Sequence, residues 1–205
     1  MGLSLTTTTG RVLASLTLVG AAAGVAGMGT YGAFVSSTSA NTNIASGTVN
    51  IALGATGAAN RLSVAASGLV PGDTVQRALT LTNGAGNQGL AGITLSTTAP
   101  TSSKLDTDAG GLQLSIDSCS TGWVEAGTAP AYTYTCSVTT TQVLAPRPVI
   151  GSAMPLTNLT SLAANKTDNL RVTLSLPSAA DNGFQAQSST IALDFTGTQR
   201  SGTNQ

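Results

Sequence analysis

The chain contains no histidine, and of its 205 residues only 8% are charged and 3% aromatic. Without imidazole it lacks the commonest general base, the commonest metal ligand and every Ser-His or Cys-His nucleophile arrangement. Eight basic residues balance eight acidic ones, so there is no excess of positive charge to neutralise nucleic-acid phosphates. One Trp, three Tyr and three Phe are too few for a base-stacking platform or an aromatic-rich ligand groove. No GxSxG, HExxH or P-loop occurs, and no GxGxxG follows a strand. These absences leave an enzyme without its usual means and point to no cofactor and no nucleic-acid partner.

What is present is a neutral chain rich in Thr, Ser, Ala and Gly, with 41% hydrophobic residues. That hydrophobic share, with no net charge to drive self-repulsion, sets it apart from disordered chains. Its length allows a substantial core, which must be built from Leu, Val, Ile and Ala. Thr and Val fit a pleated sheet better than a helix, so the composition favours an all-β scaffold.

Residues 1–11 carry one charged side chain, Arg11, and Val12 to Gly29 carry none. A charged head followed by an apolar run reads as a secretory signal peptide; a retained anchor is the alternative, and the only route to a membrane. No basic stop-transfer cluster follows, and the small residues Gly32 and Ala33 suit cleavage. The expected organisation is a signal peptide over 1–32, forming the signal helix, an extended segment over 33–46, a β-domain over 47–199 and a polar tail over 200–205. In an exported protein the pair Cys119 and Cys136 reads as a disulfide contributing about 3 kcal/mol; two buried free thiols are the alternative.

Period-two alternation of apolar residues marks about eight half-buried strands. They centre on Val49, Ile51 and Leu53; Leu62 and Val64; Val75, Leu79 and Leu81, with Arg77 interrupting; Ile93 and Leu95; Leu112, Leu114 and Ile116; Tyr132, Tyr134, Cys136 and Val138; Leu170, Val172, Leu174 and Leu176; and Ile191, Leu193 and Phe195. Val70-Pro71-Gly72-Asp73, Asn83-Gly84, Gly110-Gly111 and Asp181-Asn182-Gly183 separate strands. Strands at this spacing predict two packed antiparallel sheets. Pairing of the fifth and sixth would place Cys119 beside Cys136. The spacing of Leu156, Leu159 and Leu162 predicts one short helix or 3₁₀ turns within 152–165.

Few side chains invite a chemical role. Asp106, Asp108 and Asp117 loosely echo a calcium loop, but the pattern is incomplete and a polar turn is the plainer reading. Asp194 lies on the face opposite Leu193 and Phe195, where solvent is expected. Trp123, between the cysteines, reads as a packing anchor. Asn158-Leu159-Thr160 and Asn165-Lys166-Thr167 match the glycosylation acceptor, which matters only in a glycosylating host.

Five blocks occur in order: Gly29-Thr30-Tyr31-Gly32-Ala33-Phe34; Ala45-Ser46-Gly47-Thr48-Val49-Asn50-Ile51; Gly68-Leu69-Val70-Pro71-Gly72-Asp73; Leu79-Thr80-Leu81-Thr82-Asn83-Gly84; and Asn182-Gly183-Phe184-Gln185-Ala186-Gln187-Ser188-Ser189-Thr190 with the closing Phe195-Thr196-Gly197-Thr198-Gln199. This order resembles the TasA/camelysin family of secreted bacterial matrix proteins, while the stretch from about 85 to 165 carries few of its signatures. The resemblance implies a jelly-roll β-sandwich, a dedicated signal peptidase cutting near Gly32, and extracellular fibres grown by strand donation. The donor would be about Ala33 to Ser39, with Phe34 and Val35 its only large apolar side chains. The partner would be another copy of the chain or a sibling fibre protein. Part of that family has been classed as metallopeptidases, a role that this His-free chain with few carboxylates does not fit. The reading that follows is a secreted, non-enzymatic subunit of a fibre or biofilm matrix. The alternatives are a surface adhesin or glycan-binding sandwich using Trp123, Tyr132, Tyr134 or the Asp106/Asp108 turn, and an accessory protein that anchors another subunit's fibres.

Overall fold

A computed structural model describes residues 35–39, 51–53 and 64–201, with side chains from Ala66 onward. The signal segment 1–32, the cleavage residues Gly32 and Ala33, and Phe34 lie outside the described residues. Among the described residues twelve strands follow one another: β1 (Val35–Ser39), β2 (Ile51–Leu53), β3 (Val64–Ser67), β4 (Thr74–Asn83), β5 (Leu90–Thr101), β6 (Gln113–Cys119), β7 (Val124–Thr128), β8 (Ala131–Thr135), β9 (Thr140–Pro148), β10 (Gly151–Pro155), β11 (Lys166–Ser175) and β12 (Ser188–Gln199). A four-residue helix, α1 (Lys104–Thr107), and a 3₁₀ turn at Asn182–Phe184 complete the described elements.

The first sheet has the order β1-β12-β5-β10, with β3 also on β12; the second has the order β2-β4-β11-β6-β9; β7 and β8 form a separate two-stranded ribbon. Every pairing is antiparallel. Apart from the β6-to-β9 stretch, consecutive strands fall in opposite sheets, so the chain winds around the core in a jelly-roll-like sandwich.

The inner faces follow the alternation. Leu79 and Leu81 of β4, Leu170, Val172 and Leu174 of β11, and Leu114 and Ile116 of β6 meet Ile93 and Leu95 of β5 and Ile191, Leu193 and Phe195 of β12 in one buried cluster. Each such side chain contributes about 1.5–3 kcal/mol on burial, so an almost purely aliphatic core suffices. The Val70–Asp73 turn forms as its sequence predicts: Gly72 takes φ +96°, which a side chain disfavours, and the Asp73 N–H donates to the Val70 carbonyl at 3.0 Å.

The helical segment is misplaced by the sequence reading. Residues 156–165 form a loop, because Asn158 and Asn165 adopt left-handed backbone at φ +58° and +57° and break the turn a helix needs. Leu156 and Leu159 are buried from that loop, so their spacing reflects core anchoring. The helix is α1, where Ser103 caps the first turn and Asp106 reaches back to the cap in a capping box. Leu105 inserts into the core, and Gly111 lies so close to the Leu105 carbonyl that a Cβ would collide with it.

The fifth and sixth predicted strands do not pair. The former, β6, lies between β11 and β9, while β8 pairs only with β7. Cys119 ends β6 and Cys136 follows β8, and their disulfide, with Cα atoms 5.8 Å apart, ties the ribbon to the sandwich. Val138 lies beyond the end of β8 and is exposed rather than on an apolar face.

Candidate functional site

Edges are where a sandwich can act through its main chain, because an edge strand presents unpaired main-chain groups. β12 is paired with β5 along one side. Its other side is covered in two pieces: β3 pairs Ser188 through Ile191, and β1 pairs Asp194 through Thr198. The β1 register runs without a break, with Val35 opposite Thr198, Ser37 opposite Thr196 and Ser39 opposite Asp194. Val35, predicted as part of the donor segment, thus opens a strand, and that strand is seated on its own chain.

At the opposite border, β9 and β10 are blocked. β9 carries Pro146 and Pro148, which cannot donate to a ladder. Its Val143 carbonyl accepts from the Thr157 N–H at 3.1 Å, and its Gln142 carbonyl accepts from the Asn158 side-chain amide at 2.9 Å. The covering loop is in turn held by Asp168, whose buried carboxylate accepts from the Thr160 N–H and Oγ1 and the Ser161 N–H. β10 shifts register between Gly151 and Met154, has Ala153 at φ +48°, and ends in Pro155. β1, by contrast, is Val-Ser-Ser-Thr-Ser, with no proline, charge or break in register.

Asp194 marks the inner end of this junction. It pairs with Ser39 on one side and Ser96 on the other. The residue is half-buried rather than solvated, and its Oδ1 is buried with no hydrogen-bond partner among the described residues. Desolvation raises its pKa, since burial penalises the charged form. No pattern in the sequence separates this carboxylate from an ordinary exposed one.

The carboxylates of the calcium-like pattern are not brought together. Asp106 serves the capping box, accepting from the Ser103 N–H, Ser102 Oγ and Ser189 Oγ. Its burial alone would raise its pKa, but these hydrogen bonds outweigh burial and hold it below 3.8. Asp108 accepts from the Gly110 N–H, while Asp117 lies on β6 and pairs with Arg171 at 2.8 Å. Among the described residues no three His, Cys, Asp or Glu side chains are grouped to hold a metal ion.

The aromatic candidates are structural. Trp123 Nε1 donates to the Asn169 carbonyl at 3.0 Å, and its ring stacks on the Arg171 guanidinium at 4.4 Å. Tyr134 is buried, and Tyr132 lies 5.5 Å from the Arg77 guanidinium. Arg77, the apparent interruption of β4, is thereby accounted for; its Nη1 also donates to the Gln76 carbonyl at 2.6 Å. Asn158 and Asn165 are both exposed. Among the described residues no helix is long and apolar enough to cross a membrane. Comparison with protein-family models, curated proteins and solved structures gives no match to this chain.

Proposed function

We propose that this chain is a secreted structural subunit of an extracellular fibre or matrix, in which β1 of one copy occupies the Asp194–Thr198 edge of the next. The observation that carries the reading is the unbroken five-residue register of β1 on β12 at an unguarded edge. A neighbour's β1 can make the same main-chain bonds there that the chain's own β1 makes, so exchange conserves the interaction.

An isolated subunit favours its own strand, because tethering keeps the local concentration of β1 high. Residues 40–50 separate β1 from β2, a tether reaching at most about 36–40 Å when extended. Head-to-tail exchange does not close on itself and yields open filaments. The five sequence blocks that resemble TasA/camelysin proteins, the apolar run at Val12–Gly29 and the disulfide agree with export. No side-chain chemistry is required.

Electron microscopy of the secreted protein, with and without residues 33–40, tests this reading. Filaments from the full secreted chain and none from the truncated one are expected. Filaments from both, or soluble monomers from both under every condition tried, would overturn it.

A further inference from the structure

The β7–β8 ribbon is an excursion from a sheet that closes without it. β6 and β9 pair directly beneath it, Cys119 opposite Thr140, and the Ser120 N–H donates to the Thr139 carbonyl at 3.1 Å. Among the described residues the aliphatic core cluster contains none from the ribbon. Two strands alone are marginal in water, so the ribbon depends on what holds it down.

It lies across the outer face of the second sheet. The Arg171 guanidinium donates from Nη1 to the Tyr134 carbonyl at 3.1 Å and from Nη2 to Asp117 at 2.8 Å, and Trp123 stacks over it. The Tyr134 N–H donates to Gln76 Oε1 at 3.0 Å. Ala78 stands opposite Arg171 on this outward face and is nonetheless 2% exposed. On the same face, Arg171 Nε and Thr173 Oγ1 are buried without partners among the described residues. These are groups that water would satisfy if the ribbon lifted. The contacts thus centre on the Arg171 and Arg77 guanidinium groups and Gln76, with the Tyr134 ring buried, and closure leaves unmet hydrogen bonds.

The crosslink joins the start and end of the excursion. We infer that the ribbon is a redox-latched flap: the Cys119–Cys136 disulfide keeps it shut, and reduction frees it to swing away while the sandwich stays folded. The S–S bond breaks as each sulfur takes up one electron and one proton from a dithiol, which becomes a disulfide. Opening uncovers Arg171, Asp117 and Gln76.

Trp123 is the chain's only tryptophan, so its emission reports on the flap. The test treats the folded, secreted protein with dithiothreitol and follows Trp emission, acrylamide quenching, far-UV circular dichroism and amide exchange in β11. A red shift and a severalfold rise in quenching, with the β signal and β11 protection retained, are expected on reduction. A folded Cys136→Ser chain should match the reduced state without any reductant. Unchanged emission and quenching after verified reduction would overturn the inference. So would loss of β11 protection together with Trp shielding, or a Cys136→Ser chain that cannot fold, since each makes the disulfide a support of the whole sandwich.

Discussion

The two long borders of the sandwich are built differently. Along β9 and β10, three prolines, a register shift and two hydrogen bonds from the 157–158 segment close off the main chain. Along β12, the border is finished by a short, neutral strand from the front of the domain. The first border resists association in the ways natural sheets usually do. The second is covered by a short strand of the same chain, whose place we propose a second copy takes. An all-β chain can thus carry a chemically specific surface in its main chain, defined by how each edge is finished.

Breaking the unguarded edge has the largest expected effect. Replacing Ser36 and Ser37 together with proline removes a ladder donor from the middle of β1, because alternate N–H groups of a strand face its neighbour. Filaments should disappear under electron microscopy, while the thermal unfolding of the sandwich moves little. Breaking the guarded edge instead requires Asp168→Ala, which leaves the Thr160 and Ser161 donors without their acceptor. A loss of about 3 kcal/mol is expected in urea denaturation, and light scattering should show irregular aggregates, not filaments, as β9 is uncovered.

A smaller effect sharpens the comparison through two carboxylates of opposite behaviour. Asp194, at the junction of β1 and β12, has a raised pKa because it is desolvated. Its neutral form is favoured in the fold, so it destabilises above the raised value and that cost fades as pH falls through it toward 3.8. Asp106, with its pKa lowered, contributes above 3.8 and its contribution is lost as pH falls below that value. Asp194→Asn should therefore raise the melting temperature at pH 7 and leave it nearly unchanged near pH 3. Asp106→Asn should lower it at pH 7, with the difference shrinking in strong acid. Paired melting curves across pH check both signs.

Much of the sandwich was legible in the sequence, because a half-buried strand writes its burial at every second residue. β4, β6, β11 and β12 carry that alternation plainly, and the Pro71-Gly72 turn is set by backbone sterics. Strand pairing was not legible: the chain changes sheet at nearly every step, and alternation says which face is buried without saying which strand lies alongside. β9 and β10 were missed because Pro146, Pro148 and Pro155 interrupt the pattern. Read as edge markers, those prolines would have located them. The leucines at 156, 159 and 162 imitated a helix, because a loop can drop anchors into a core at any spacing. Asp194 was invisible as a special group, since its burial comes from neighbours distant in sequence.

The central claim is that β1 is shared between copies. In filaments grown from a chain carrying Ser37→Cys and Thr196→Cys, which stand opposite each other across β1 and β12, mild oxidation followed by non-reducing denaturing electrophoresis shows whose strand is whose. The account predicts a ladder of covalently joined subunits. Filaments in which every crosslink joins residues 37 and 196 of the same chain would contradict it.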